Sequence, residues 1–371
     1  MANLTDSGNS VLNTTGSHFT WLQITEYTIF TVIFLASVIG NVLVCLVIFK
    51  TPRMRTTRNY LLVNLAVSDL TVSLLCIPFD VVLKITDPHW PLGDVMCNIL
   101  WPAMTLVTNC SSATLAAISL DRYRAIVHPW KARFTSLQTA AIIISTWSLS
   151  FILVLPYALA LKIQDGYCDE DWPHPAAAKA YTMGLFIFQY ALPLLIITFA
   201  YIMVAKKLRH QAARIARNRH ANGISAAVYS PERNRYQLQA ASEVFSVSTL
   251  SMDRKDPVKQ ELVLPRVGLP LSDKKEVKRL EHNTKIMKML VTVVLLYAIC
   301  LLPNQVVWLW YEFGTAQNWP HFYKLLTFGN IMVYVNSCVN PLLYAGLNEE
   351  FRKGFRRFLN CNCKSPAKTL V

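Results

Sequence analysis

Charge is scarce in this sequence and unevenly shared. Only 16% of its 371 residues are charged, and 22 acidic residues face 36 lysines and arginines. A soluble chain of this length would divide into two or more domains with polar surfaces, and there is too little charge here to clothe them. Glycine is sparse as well, at 12 residues, and no glycine-rich loop that could cradle a phosphate occurs. Nor is there a metal-ligand set or a nucleophilic triad. No enzyme chemistry is legible. Met1–Ser17 is polar and lacks a basic stretch ahead of an apolar one, so no cleavable signal peptide is expected.

Apolar chain is abundant, 53% of residues, and it comes in blocks. Uncharged runs cover Tyr27–Phe49, Asn59–Phe79 (interrupted by Asp69), Val95–Leu120, Thr135–Leu161, Ala180–Ala205, Met289–Tyr311 and Leu325–Asn348. Crossing a bilayer core takes about 20 apolar residues in a helix, and lipid leaves free backbone no hydrogen-bond partner. The expectation is an all-α membrane protein, a bundle of seven transmembrane helices.

Basic residues orient it. With the N-terminus outside, Lys84, Lys162, Lys179 and Lys324 are the only outer lysines or arginines, so 32 of the 36 are cytoplasmic. Ten acids lie on or near the outer side, giving that face a net charge of −6. The basic total is then an orientation signal and an attraction to anionic inner-leaflet lipid, not a sign of nucleic acid. The predicted location is the plasma membrane, multi-pass. Of the nine cysteines only Cys97 and Cys168 face the oxidising side, and they are the expected disulfide.

Three segments flank this core. Residues 1–26 read as an outer tail with glycosylation sequons at Asn3 and Asn13; the sequon at Asn109 lies mid-membrane, out of a transferase's reach. Residues about 210–283 are polar, basic and proline-punctuated, and read as a mostly disordered third inner loop. In 349–371, Glu349–Leu359 sets Phe351, Phe355, Phe358 and Leu359 against Arg352, Lys353, Arg356 and Arg357, an amphipathic eighth helix for the inner membrane surface. Cys361 and Cys363 beside it are the expected palmitoylation sites.

The spans carry a set of motifs in order: Gly40-Asn41; Asn64-Leu65-Ala66-Val67-Ser68-Asp69-Leu70; Asp121-Arg122-Tyr123; Trp147 and Pro156; Pro193 and Tyr201; Asn340-Pro341-Leu342-Leu343-Tyr344. Each is weak alone, but together they make the chain resemble rhodopsin-like (class A) G-protein-coupled receptors from the first span through the eighth helix. Asp69 is an acid in mid-membrane, where charge is costly and functional by default. The resemblance implies that it binds a sodium ion with Ser111, Asn336 and Asn340, oxygen donors suited to a hard cation; a protonated, hydrogen-bonded Asp69 is the alternative. No other cofactor is expected. Asp121-Arg122-Tyr123 is a salt-bridged helix end on a plain reading. By resemblance it is the G-protein switch, with Asp121 restraining Arg122 and with Tyr201 and Tyr344 holding the active arrangement. The acid that restrains this arginine from the sixth helix in some relatives is Asn283 here. One departure touches the trigger: Tyr297 and Leu301 stand where the family usually has Phe and Trp.

For the ligand, two small-molecule classes lack their anchoring residue. The opsin lysine position corresponds to Tyr334 and the amine-receptor aspartate to Met104. Gly166-Tyr167-Cys168-Asp169-Glu170-Asp171-Trp172-Pro173, together with Trp90-Pro91-Leu92-Gly93 and Ile126-Val127-His128-Pro129, resembles receptors of the neuropeptide FF, RFamide and neuropeptide Y type. In those families an acid matching Glu312 holds a peptide arginine, and carboxylate and guanidinium form a directional, charge-assisted pair. Glu312, Asp169, Glu170, Asp171, Met104 and Gln305 are thus the candidate ligand contacts, although ordinary solvated loop charge would also account for the acids. The expected partners are a basic amidated neuropeptide and a heterotrimeric G protein. Arrestin is expected through the cluster Ser242, Ser246, Ser248, Thr249 and Ser251, and a PDZ domain through Thr369-Leu370-Val371. The competing readings are a class A receptor for another peptide or a small molecule, and a transporter; a transporter wants several intramembrane charges, and Asp69 is the only deep one counted here.

Overall fold

A computed structural model describes residues 21–86, 90–130, 134–228 and 271–359, with side chains from 218 down and from 275 up around the third inner loop. Asn3, Asn13, the Ser242–Ser251 cluster, Cys361, Cys363 and Thr369–Val371 lie outside the described residues.

Seven long helices follow one another: α1 (Trp21–Lys50), α2 (Thr57–Thr86), α3 (Gly93–Val127), α4 (Ser136–Ala160), α5 (Pro175–Leu185, a π turn Phe186–Ala191, then Leu192–Val228), α6 (Leu271–Phe313) and α7 (Phe322–Leu347), with α8 (Glu349–Leu359) after them. Length and hydropathy qualify α1–α6 as membrane spans. α7 carries the buried polar side chains Asn336, Ser337 and Asn340, which dilute its hydropathy. Its 26 residues still exceed the roughly 20 a bilayer core requires. Two boundaries differ from the sequence reading. α1 starts at Trp21, inside the expected tail. α5 and α6 run through Val228 and back from Leu271, so the expected disordered loop is helical at both ends. Polar, basic residues do not break a helix whose backbone bonds are internal.

The core is apolar, as in a soluble protein, but the outer surface of the bundle is apolar as well and a minority of polar side chains is buried. Ile39 and Leu46 of α1, Leu149, Phe151 and Ile152 of α4, Leu195 and Phe199 of α5 and Leu295 and Ile299 of α6 point outward, while Asn41, Asn64, Asp69, Ser111, Asn336 and Asn340 are inside. In lipid, helix association rests on close packing and on interhelical hydrogen bonds. α3 is central, with 61% of its apolar window buried, and α4 peripheral, with 17%. Asn64 ties α2 to both: its amide nitrogen donates to Thr114 Oγ1 at 2.8 Å and its oxygen accepts from Trp147 Nε1 at 2.9 Å. Asn41 Nδ2 donates to the Ser337 carbonyl at 3.0 Å, joining α1 to α7. Gly40 permits that approach, since a Cβ there would lie 2.8 Å from Pro341 Cβ.

At one end of the bundle lies the hairpin β1 (Leu161–Gln164) and β2 (Tyr167–Glu170), antiparallel with Leu161 opposite Glu170. Its turn residues Asp165 (φ 50°) and Gly166 (φ 84°) are both left-handed, as a two-residue hairpin turn needs. A disulfide joins Cys168 on β2 to Cys97 on α3, as the sequence reading expects. At the other end α8 packs Phe351 and Phe355 inward, with Phe351 5.3 Å from the Tyr344 ring.

Candidate functional site

The hairpin end gathers most of the expected ligand contacts, though not as one acidic run. Asp171 is engaged by Lys162, Nζ to Oδ2 at 2.7 Å. Glu170 accepts from Trp172 Nε1 at 2.6 Å. Trp172 in turn packs on Tyr181 of α5 at 5.2 Å between ring centroids, and Tyr181 stacks on Tyr157 of α4 at 5.7 Å. Partial burial holds the Glu170 carboxyl above its usual range, the Trp172 bond draws it down, and the negative charges of Glu312 and Asp169 raise it further. Glu312 is half-buried at the end of α6, close enough to Glu170 to act on its charge, with Lys179 of α5 as its cationic neighbour. Tyr311 beside it stacks on Phe322 of α7 at 5.4 Å. The result is two carboxylates, Glu170 and Glu312, within electrostatic reach of each other among aromatic rings.

Below this mouth Met104 and Tyr334 meet across the bundle, Sδ to hydroxyl at 3.8 Å. Here the sequence reading needs correction. Asp80, one of the ten acids counted on or near the outer side, is 5% exposed and accepts from the Tyr334 hydroxyl at 3.1 Å. Asp69 is therefore not the only buried carboxylate in the spans. The π turn Val72–Cys76 inserts an extra residue into α2 and rotates the remainder of the helix about its axis, and hydropathy does not report that rotation. Lys84, one turn on, bonds Glu26 Oε1 of α1 at 2.6 Å and Thr327 Oγ1 of α7 at 2.8 Å, capping Asp80. Gln305 is 7% exposed and donates to Gln189 Oε1 of α5 at 2.8 Å, so it forms part of the floor.

In mid-bundle Asp69 is 1% exposed and accepts from Asn340 Nδ2 at 3.0 Å. Ser111 and Asn336 are buried on α3 and α7; of the four candidate cation ligands, Asp69 and Asn340 are in hydrogen-bond contact, and carboxylate, hydroxyl and amide oxygens are the donor types that suit a hard cation. Among the described residues there is no cluster of three His, Cys, Asp or Glu for a transition metal. Asn109 is buried on α3, 4% exposed.

At the far end Asp121 and Arg122 are both buried. The partner of Asp121 that sequence reasoning missed is Arg58 at the start of α2, Nε to Oδ2 at 3.6 Å. A cation far upstream with no fixed spacing leaves no sequence signal. Tyr201 of α5 is inside the bundle, near Arg122, its hydroxyl accepting from Ser119 Oγ at 3.1 Å. Tyr344 is 2% exposed and lies close to Tyr201. Tyr123 turns away to His128, hydroxyl to Nε2 at 3.1 Å, apart from this group.

Seven helices with a buried Asp-Arg pair at one end and a disulfide-anchored hairpin at the other define a known architecture. The family described as 7 transmembrane receptor (rhodopsin family) matches residues 40–344. A relative from Oreochromis niloticus, G-protein coupled receptor 54, is 30% identical over 339 residues, which cover 88% of this chain and 76% of the relative. This chain belongs to the rhodopsin family of seven-transmembrane receptors: it is a multi-pass membrane protein of the G-protein-coupled class and not an enzyme.

Proposed function

We propose that this receptor is activated by a basic, amidated neuropeptide whose guanidinium is held at the hairpin end between Glu312 and Glu170. The carrying observation is the mutual proximity of these carboxylates among Trp172, Tyr181 and Tyr311. A planar cation gains there twice, by charge-assisted hydrogen bonds to carboxylates and by the faces of aromatic rings. The hairpin end faces outward, and the net −6 of that side steers a cationic peptide toward it. Lys179 competes for Glu312 until the ligand arrives. Asp169 contributes charge, and Asp171, already paired with Lys162, shapes the loop.

Ligand binding shifts a pre-existing equilibrium toward an arrangement in which Arg122, freed from Asp121, meets a heterotrimeric G protein, with Tyr201 and Tyr344 supporting it. Asp69, Ser111, Asn336 and Asn340 hold an allosteric sodium ion that favours the resting arrangement. Arrestin docks on the phosphorylated third inner loop, a PDZ domain on the C-terminal Val371, and α8 with acylated Cys361 and Cys363 on lipid of the plasma membrane.

The test is G-protein dissociation in cells expressing the full receptor, against a panel of amidated basic peptides, with Glu312→Gln beside wild type. A peptide response that collapses in Glu312→Gln supports the reading. Silence across the panel, with the receptor at the surface, overturns it. A second reading, a small cationic ligand, has one observation in its favour: Asp80 and Tyr334 set a carboxylate beside Met104, where amine receptors take theirs from the third helix. Responses to small amines that vanish in Asp80→Asn and persist in Glu312→Gln would select it.

A further inference from the structure

α5 carries a defect written into its sequence. Pro193 has no N–H, so the carbonyl four residues earlier, that of Gln189, loses its ordinary helical donor, and Phe186–Ala191 forms a π turn. In hydrocarbon a bare carbonyl is costly. Tyr297 of α6 supplies the donor, its hydroxyl giving a hydrogen bond to the Gln189 carbonyl at 2.6 Å. The same hydroxyl meets Ser112 Oγ of α3, and Ser112 also reaches the Thr108 carbonyl at 2.8 Å. Two hydroxyl protons thus serve three contacts, so one contact at a time lacks its own proton. Gln189 is gripped at its other end, Oε1 accepting from Gln305 Nε2 at 2.8 Å.

Gln189, Tyr297, Ser112 and Gln305 are all buried. Gln189, Tyr297 and Ser112 tie α5, α6 and α3 together about a turn and a half before Pro303, the proline inside α6, and Gln305 reaches the Gln189 side chain from beyond that proline. Two departures from the family pattern converge on this place. Leu301, standing where the family has Trp, is 1% exposed and aliphatic, with no polar handle. Tyr297, standing where the family has Phe, adds the hydroxyl that creates the knot.

We infer that this polar knot is the conformational latch of the receptor. The Tyr297 hydroxyl, rather than an aromatic ring at position 301, holds α6 against α3 and α5 in the resting arrangement. Gln305, on the ligand side of the knot, is the handle by which an occupied site loosens it. An outward swing of α6 has to draw the Tyr297 hydroxyl off the Gln189 carbonyl and off Ser112. Phenylalanine at 297 would fill the same space without either bond.

The experiment measures ligand-independent G-protein dissociation across all Gα classes in cells, normalised to surface receptor, for wild type, Tyr297→Phe, Ser112→Ala and the double variant. Because no ligand is added, the result is independent of the peptide reading. Tyr297→Phe is expected to raise basal signalling about threefold to tenfold, the equivalent of one buried hydrogen bond. Ser112→Ala should raise it less, and the double variant should match Tyr297→Phe alone, because Ser112 acts through that hydroxyl. Basal signalling unchanged in Tyr297→Phe would overturn the latch. A fall would overturn its assignment to the resting arrangement, and strictly multiplicative single effects would overturn the coupling. If Tyr297→Phe does not reach the surface, Ser112→Ala decides: a rise supports the latch and no change overturns it.

Discussion

Asn64→Leu should loosen three helices at once, by an amount the geometry lets one work out. Asn64 is 6% exposed, and its amide bonds Thr114 of α3 at 2.8 Å and the Trp147 indole of α4 at 2.9 Å. Leucine keeps the volume and removes both bonds. Thr114 still donates to the Cys110 carbonyl at 2.6 Å, so its loss is one neutral bond, about 1 kcal/mol. The Trp147 N–H keeps no acceptor, which costs about 1–3 kcal/mol. The variant should therefore be less stable by about 2–4 kcal/mol. Trp147→Phe removes the indole donor beforehand, so in that background Asn64→Leu should cost only the Thr114 bond, about 1 kcal/mol. The assay is thermal unfolding of detergent-purified receptor with a thiol-reactive dye, which reports the buried Cys76, Cys110 and Cys300 as they become accessible. At about 2–4 °C per kcal/mol, the scale of domains of about 150–250 residues, Asn64→Leu should lower the midpoint by about 4–16 °C. Additive midpoint shifts in the double variant, or a single variant that unfolds at the wild-type temperature, would refute the hub.

Other perturbations probe other links. The ionised form of Glu170 is the one that attracts a cation and its carboxyl titrates above the usual glutamate range, so basic-peptide affinity should begin to fall at a higher pH than an ordinary glutamate would give; Glu170→Gln should remove that step from the pH profile of binding. Cys97→Ser unlinks residues 71 apart in sequence and should cost about 2–5 kcal/mol, read as lost surface expression and lost peptide response; intact response would show that the hairpin holds its place without the bond. Gly40→Ala puts a Cβ 2.8 Å from the rigid Pro341 ring, whereas one at Gly346 meets nothing within 4 Å. The first should lower the thermal midpoint, and the second should leave it level or raise it; equal midpoints would argue against tight α1–α7 packing. Arg58→Gln removes the cation 3.6 Å from Asp121; under the proposal that Asp121 restrains Arg122, the carboxylate is then more available to it, so basal G-protein dissociation should fall, and a rise would mean that Arg58 reinforces the restraint.

Some candidate site residues were legible because charge in a membrane is rare enough to be conspicuous. Asp69 announces itself by type and depth alone, the Asp121–Arg122 pair and Glu312 were singled out only by the resemblance, and the disulfide follows from which cysteines lie on which side. Asp80 was misjudged because depth and azimuth are separate quantities: apolar runs give the first, while the π turn at Val72–Cys76 decides the second. The end of the third inner loop was misjudged because composition reports solvation, not backbone bonding, and a charged stretch such as Lys275–Lys288 continues α6 without a break.

Seven apolar runs, their basic flanks and an ordered set of motifs were enough to determine the bundle, its family and the side chains with no business in lipid unless they act. Those features follow from transfer free energies, and these are local to each segment. Only the tertiary structure could decide which carboxylate each cation reaches, that Arg58 serves Asp121, that Asp171 is already taken by Lys162, and that Tyr297 repairs the carbonyl Pro193 strands. Such pairings are set by how helices rotate and pack against one another, so no single segment contains the information.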